Sequence, residues 1–105
     1  MILPRRSNIS RKEQKATRER KATVQIKAVW ERDGGICVYC GGYAGEIDHV
    51  IPLSKGGPSI KANEVCCCKA CNRRKSSKLD QDYITRGIFW LLQHGENMDW
   101  VDKLN

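Results

Sequence analysis

The chain predicts a small α+β domain stapled by a metal ion. Three observations carry that expectation: two Cys-x-x-Cys pairs, two short strand-like segments separated by a glycine-rich loop, and helix-forming runs on either side. At 105 residues the chain is too short to depend on a large hydrophobic core, so a staple is expected.

The elements follow in order. Pro4, Arg5 and Arg6 lie in a stretch with no apolar period, so residues 1–9 read as a mobile basic arm. Ser10 and Glu13 have capping-box spacing, and the following run to Glu31 is rich in Lys, Arg, Glu, Gln and Ala, all good helix formers. Ala22, Ile26, Val29 and Trp30 share one face of that helix, whereas Val24 and Ala28 fall off it, so it should dock by its C-terminal half. Asp33-Gly34-Gly35 ends it, and Ile36 to Gly42 reads as a tight knuckle.

Ile47, Val50 and Ile51 predict a strand over about Gly45 to Val50, stopped by Pro52. Leu53 to Ala62, with Gly56-Gly57-Pro58, is a surface loop, and Asn63 to Cys67 is the return strand. A short helix is expected from Lys69 to about Lys78. Asp80 caps another that runs to His94, with Gly95 as its stop. On that helix Ile84, Ile88, Leu91 and Leu92 form one face, while Tyr83, Phe89 and Trp90 make it apolar nearly all round. The expectation is that it packs under the N-terminal helix or makes a homodimer contact. His94, near its C-terminus, reads as a dipole contact. The sequence assigns no element to residues 96–105.

Nineteen basic against twelve acidic residues leave a formal charge of +7, with the excess clustered toward the N-terminus and again around Lys69, Arg73, Arg74, Lys75 and Lys78. A polyanionic partner is expected. Met1-Ile2-Leu3-Pro4-Arg5-Arg6 lacks an apolar leader, and no run of about eighteen apolar residues exists. The expectation is a cytoplasmic, reduced protein with no membrane span, in which cysteines serve metal rather than disulfides.

Two residues between paired cysteines let one tight turn present both sulfurs to one ion, so Cys37, Cys40, Cys68 and Cys71 are the expected zinc ligands. Cys66 and Cys67 read as small packing residues, a swapped ligand staying open. Strand alternation puts Cys66 on the face of Cys68 and Cys67 on the other. Four thiolates leave no open position, so this zinc is structural and any chemistry lies elsewhere.

Between the pairs stand Glu46-Ile47-Asp48-His49-Val50-Ile51-Pro52-Leu53-Ser54-Lys55-Gly56-Gly57 and then Asn63. After them comes Cys68-Lys69-Ala70-Cys71-Asn72-Arg73-Arg74-Lys75. Over about residues 30–79 this order resembles the HNH endonuclease family. The resemblance implies a ββα-metal fold, also called the His-Me finger, with the zinc knuckle as reinforcement and helices on both flanks. It implies residues 1–21 as basic arm and start of helix, 22–79 as nuclease domain and 80–105 as helical extension.

By the same resemblance His49 is the general base that activates water, and Asn63 pins the long loop and so orients His49. Asp48 and Asn72 are ligands of a catalytic Mg²⁺ or Mn²⁺, Asn72 standing where many members have a final histidine. Adjacent strand residues point to opposite faces, so Asp48 and His49 share a site only through a local twist or by approaching the metal from two sides. Arg73, Arg74, Lys75 and Lys78 are the expected contacts to phosphate. The implied partner is double-stranded DNA, nicked or cut through both strands, in a phage, mobile-element or restriction setting. A non-catalytic zinc-knuckle module that binds nucleic acid, and a homodimeric accessory factor, are the competing readings.

Overall fold

In a computed structural model the described residues are 24–76 and 78–104. The basic arm, the Ser10 cap and Ala22 lie outside them. The first helix, α1, covers residues 24–33 and stops where Gly34 and Gly35 both take positive φ. Val29 is fully buried and Trp30 half-buried, but Ile26 is exposed, so the docked face is narrower than the spacing implies.

Strand β1 (Glu46–His49) pairs antiparallel with β2 (Glu64–Cys67), in a register that sets Asp48 opposite Val65 and His49 opposite Glu64. The connecting loop contains two 3-10 turns, Leu53–Lys55 and Lys61–Asn63. Helix α2 (Lys69–Lys75) is capped by the Cys68 sulfur and ends earlier than expected, because Ser76 adopts φ 51. Helix α3 (Gln81–Gln93) starts at Asp80, whose carboxylate accepts from the Asp82 and Tyr83 amides, and terminates before Gly95 at φ 80. A third 3-10 turn spans Asp99–Lys103.

The core gathers Tyr39, Val50, Val65 and Leu91 with Cys37, Cys67 and Cys71. Helix α3 is more two-faced than its composition implies: Ile84 and Leu91 are buried, while Leu92 and Phe89 are exposed. It leans on the end of β1 through Gly87, where a Cβ would lie 2.6 Å from Val50 Cγ2. It meets the end of α1 through Trp90, whose indole donates to Asp33 at 2.8 Å. The domain is thus a ββα unit held between two helices.

Candidate active site

The knuckle is built by backbone hydrogen bonds that fold each cysteine pair onto itself. Cys37 N–H donates to Gly42 at 2.7 Å and Gly41 N–H to Cys37 at 2.8 Å, a turn that needs Gly41 at φ 83. In the second pair the Cys71 amide donates to Cys68 Sγ at 3.3 Å. The four sulfurs of Cys37, Cys40, Cys68 and Cys71 lie within 4.8 Å of one another, and those of Cys40 and Cys68 are 3.7 Å apart. Four thiolates about 2.3 Å from a tetrahedral ion stand about 3.8 Å from each other, so this set can hold zinc.

The Cys71 amide brings the Cys68 thiol down to about 7, while burial pushes Cys71 up to about 12. The two thus move in opposite directions within one cluster. A dication held by the cluster would favour thiolate over thiol, since metal ligation requires the deprotonated sulfur. Burial also raises Cys66, to about 11, and Cys67 further. Both therefore stay thiols, as packing residues do. Their placement corrects the expected alternation: Cys66 Sγ faces Val29 of α1, and it is Cys67 that sits among the knuckle cysteines in the core. The knuckle hangs off the end of β2, where the strand period no longer applies.

From the knuckle, Tyr39 reaches into the hairpin and donates its hydroxyl to Asp48 Oδ2 at 2.7 Å. Burial, followed by the Asp48 charge, raises the phenol well above its ordinary pKa, so it remains a donor. The same carboxylate oxygen lies 3.2 Å from Lys75 Nζ, which also donates to the His49 carbonyl at 2.9 Å. Lys75 is fully buried, so it cannot grip phosphate from the surface as expected, and it serves the interior instead. Asp48 is buried with Oδ2 doubly bonded; its other oxygen, Oδ1, accepts no hydrogen bond from the described residues.

His49 leaves the strand on the other face. Its Nε2 lies 3.3 Å from Ser59 Oγ and 3.3 Å from Glu64 Oε2. Asp48 and His49 nonetheless line one cleft of about 350 Å³ at the end of β1, together with Asn72, Ser76, Ile47, Pro52, Leu53 and Ser54. Both residues reach it from their own sides of the strand end. Asn72 Nδ2 donates to Glu46 at 2.7 Å, which turns the amide so that its oxygen is the free acceptor.

Asn63 is fully buried and does not touch His49. Its Oδ1 accepts from Ile51 N–H at 2.9 Å, and its Nδ2 donates to the Ile51 and Pro58 carbonyls at 3.0 and 2.8 Å. It ties the loop to the exit of β1. Arg73, Arg74 and Lys78 are exposed, with Arg74 leaning back to donate to Cys71 Sγ at 3.6 Å.

Residues 37–86 match the model of a family described as HNH endonuclease. That segment is similar to the HNH endonuclease family. It spans the knuckle, both strands, α2 and the start of α3, and so contains the cleft. No curated protein matches the chain. Among the described residues no helix is long and apolar enough to cross a membrane.

Sequence reasoning missed three residues around the cleft, Glu46, Glu64 and Tyr39, and gave a fourth, Lys75, a surface role in place of its buried one. Glu46 was legible in principle, since it stands two positions before Asp48 on the same strand face. Glu64 follows from register, which sequence does not fix when the loop is long. Tyr39 and Lys75 were hidden because a knuckle tyrosine and a lysine in a basic run look like surface groups.

Proposed function

We propose that the HNH domain is a divalent-metal-dependent endonuclease that hydrolyses phosphodiester bonds of double-stranded DNA. The observation that carries this reading is the convergence of Asp48, His49 and Asn72 on one cleft. The donor set fits a hard cation: Asp48 Oδ1 and the Asn72 amide oxygen are oxygen ligands, as Mg²⁺ and Mn²⁺ prefer. Bound there by Asp48 and Asn72, such an ion supplies Lewis-acid stabilisation of charge growing on the phosphate.

The chain's own residues account for the rest. His49 takes a proton from water as the water oxygen bonds to phosphorus. The bond from phosphorus to the 3′ oxygen breaks, and that oxygen takes a proton from solvent, leaving 5′-phosphate and 3′-hydroxyl ends. Asn63 and Lys75 fix the two backbone segments that aim the base. Arg73, Arg74 and Lys78 hold the backbone of the duplex and set its position without reading its sequence. A zinc ion held by Cys37, Cys40, Cys68 and Cys71 would be structural, and Tyr39 holds Asp48 from within that knuckle.

Supercoiled plasmid incubated with the purified chain, with Mg²⁺, with Mn²⁺ and with neither, tests the reading. Metal-dependent nicking or linearisation that disappears in His49→Ala is the expected result. Absence of cleavage in every metal, with DNA still retarded in a gel, would replace it with a non-catalytic zinc-knuckle binding module.

A further inference from the structure

We propose that Glu64, held by Gln25 of α1 and by Ser59, is the positioning residue for His49, fixing its orientation and its tautomer. For its kinetic consequence this rests on the nuclease reading above.

Glu64 opens β2 directly opposite His49, and its side chain is only 6% exposed. A carboxylate removed from water needs converging donors. It has three: Gln25 Nε2 donates to Oε1 at 2.6 Å, Ser59 Oγ donates to Oε2 at 3.3 Å, and His49 Nε2 is 3.3 Å from Oε2. Gln25 also donates to the Ser59 carbonyl at 3.2 Å, so one side chain of α1 braces both the carboxylate and the loop beside it.

The hydrogen count settles the ring. Ser59 spends its hydroxyl proton on Glu64, so both atoms that face His49 Nε2 are acceptors. Nε2 must therefore carry the proton, and in the neutral ring the lone pair that takes a proton from water is on Nδ1. The Glu64 carboxylate stays on the far side of the ring from that lone pair and holds the imidazole by its Nε2 edge. Gln25 lies outside the segment that matches the family, so the N-terminal helix completes the site rather than merely flanking it.

Two readouts test this in the full chain, with zinc content and thermal melting as folding controls. Long-range ¹H–¹⁵N spectra at about pH 8.5, where free imidazole is neutral, report the tautomer without requiring activity. His49 should be in the Nε2–H form in the wild type and in Glu64→Gln, which keeps an acceptor, and should become a mixture in Glu64→Ala. Steady-state cleavage should show kcat reduced on the order of 10- to 100-fold in Glu64→Ala with KM unchanged, and less in Glu64→Gln. In a His49→Ala background the Glu64 change should add nothing. An Nδ1–H ring in the wild type, or a tautomer indifferent to Glu64→Ala, overturns the proposal even if the protein cuts DNA. A wild type that does not cut, yet shows the Nε2–H ring and its loss in Glu64→Ala, retains the clamp and removes only the nuclease reading.

Discussion

Lys75 Nζ lies 3.2 Å from Asp48 Oδ2 and donates to the carbonyl of His49 at 2.9 Å, so one fully buried ammonium binds two consecutive residues of the strand that forms the cleft. It also ties α2, which carries Asn72, to β1. The Lys75 end of the ion pair is fully buried and the Asp48 end nearly so, and breaking such a pair strands the remaining charge. Lys75→Met is therefore expected to cost about 3–5 kcal/mol in urea unfolding. The double variant Lys75→Met with Asp48→Asn should recover part of that loss. A single variant within about 0.5 kcal/mol of wild type would show that the pair is not buried in solution.

The hairpin, the C-terminal end of α1, both ends of α3 and the clustering of four cysteines were readable from the sequence because each has a local cause. Asp80 and Gly95 bracket α3 by capping, and the cysteine spacing is a property of two tight turns. What was not readable depends on register and burial. Glu64 reaches His49 only once Asp48 is known to face Val65, and that pairing is set across a loop closed by buried Asn63. Lys75 looked like one more cation in Arg73-Arg74-Lys75. On a helix of seven residues only the turn facing β1 is buried, and the fold chose that position for a side chain long enough to cross to it.

Gly57 and Gly87 are required by close approach, not by their backbone angles. At Gly87 a Cβ would come within 2.6–2.7 Å of both Val50 methyl groups, one residue beyond His49. Gly87→Ala gains about 1 kcal/mol in helix propensity but overpacks this contact, which typically costs about 1–3 kcal/mol. The expected outcome is a lower melting temperature, with partial recovery in Gly87→Ala combined with Val50→Ala. At Gly57 the obstruction is the Ile51 carbonyl oxygen, at 1.8 Å, and backbone does not move aside as a methyl can. Gly57→Ala should thus be the more damaging of the two in the same melt.

Asp33 gives stability a dependence on pH. Burial opposes its ionisation, but the Arg32 guanidinium, the Cys66 amide and the Trp90 indole outweigh burial and leave its pKa below the ordinary 3.8. Since folding lowers this pKa, the stabilisation is complete above the unfolded value and is lost as pH falls from there through the folded one. Acid also releases zinc from thiolates, so the two effects overlap in wild type alone. Comparing Asp33→Asn with wild type at each pH separates them. The stability gap should be widest at neutral pH and should narrow below about pH 4. A gap that does not change over that range would mean that Asp33 acts by shape and not by charge.

Zinc removal should silence the cleft without any direct contact between the two sites, because Tyr39 lies in the turn between Cys37 and Cys40 and donates to Asp48. Cys68→Ser is expected to lose the ion, lower the melting temperature and abolish plasmid cleavage together. Cys66→Ala and Cys67→Ala should each retain one zinc per chain, since burial keeps both thiols protonated and neither belongs to the four-sulfur cluster. Tyr39→Phe separates structure from chemistry. It leaves the ligands and the edge-to-face contact with Tyr83, at 5.0 Å between ring centres, and removes only the hydroxyl bond to Asp48. Its zinc content should equal wild type, its stability should fall by about 1–3 kcal/mol for a hydrogen bond to a charged group, and its cleavage should need more Mg²⁺ to reach half its maximal rate. A Tyr39→Phe variant with an unchanged Mg²⁺ requirement would cut the proposed link between the knuckle and the ligand carboxylate.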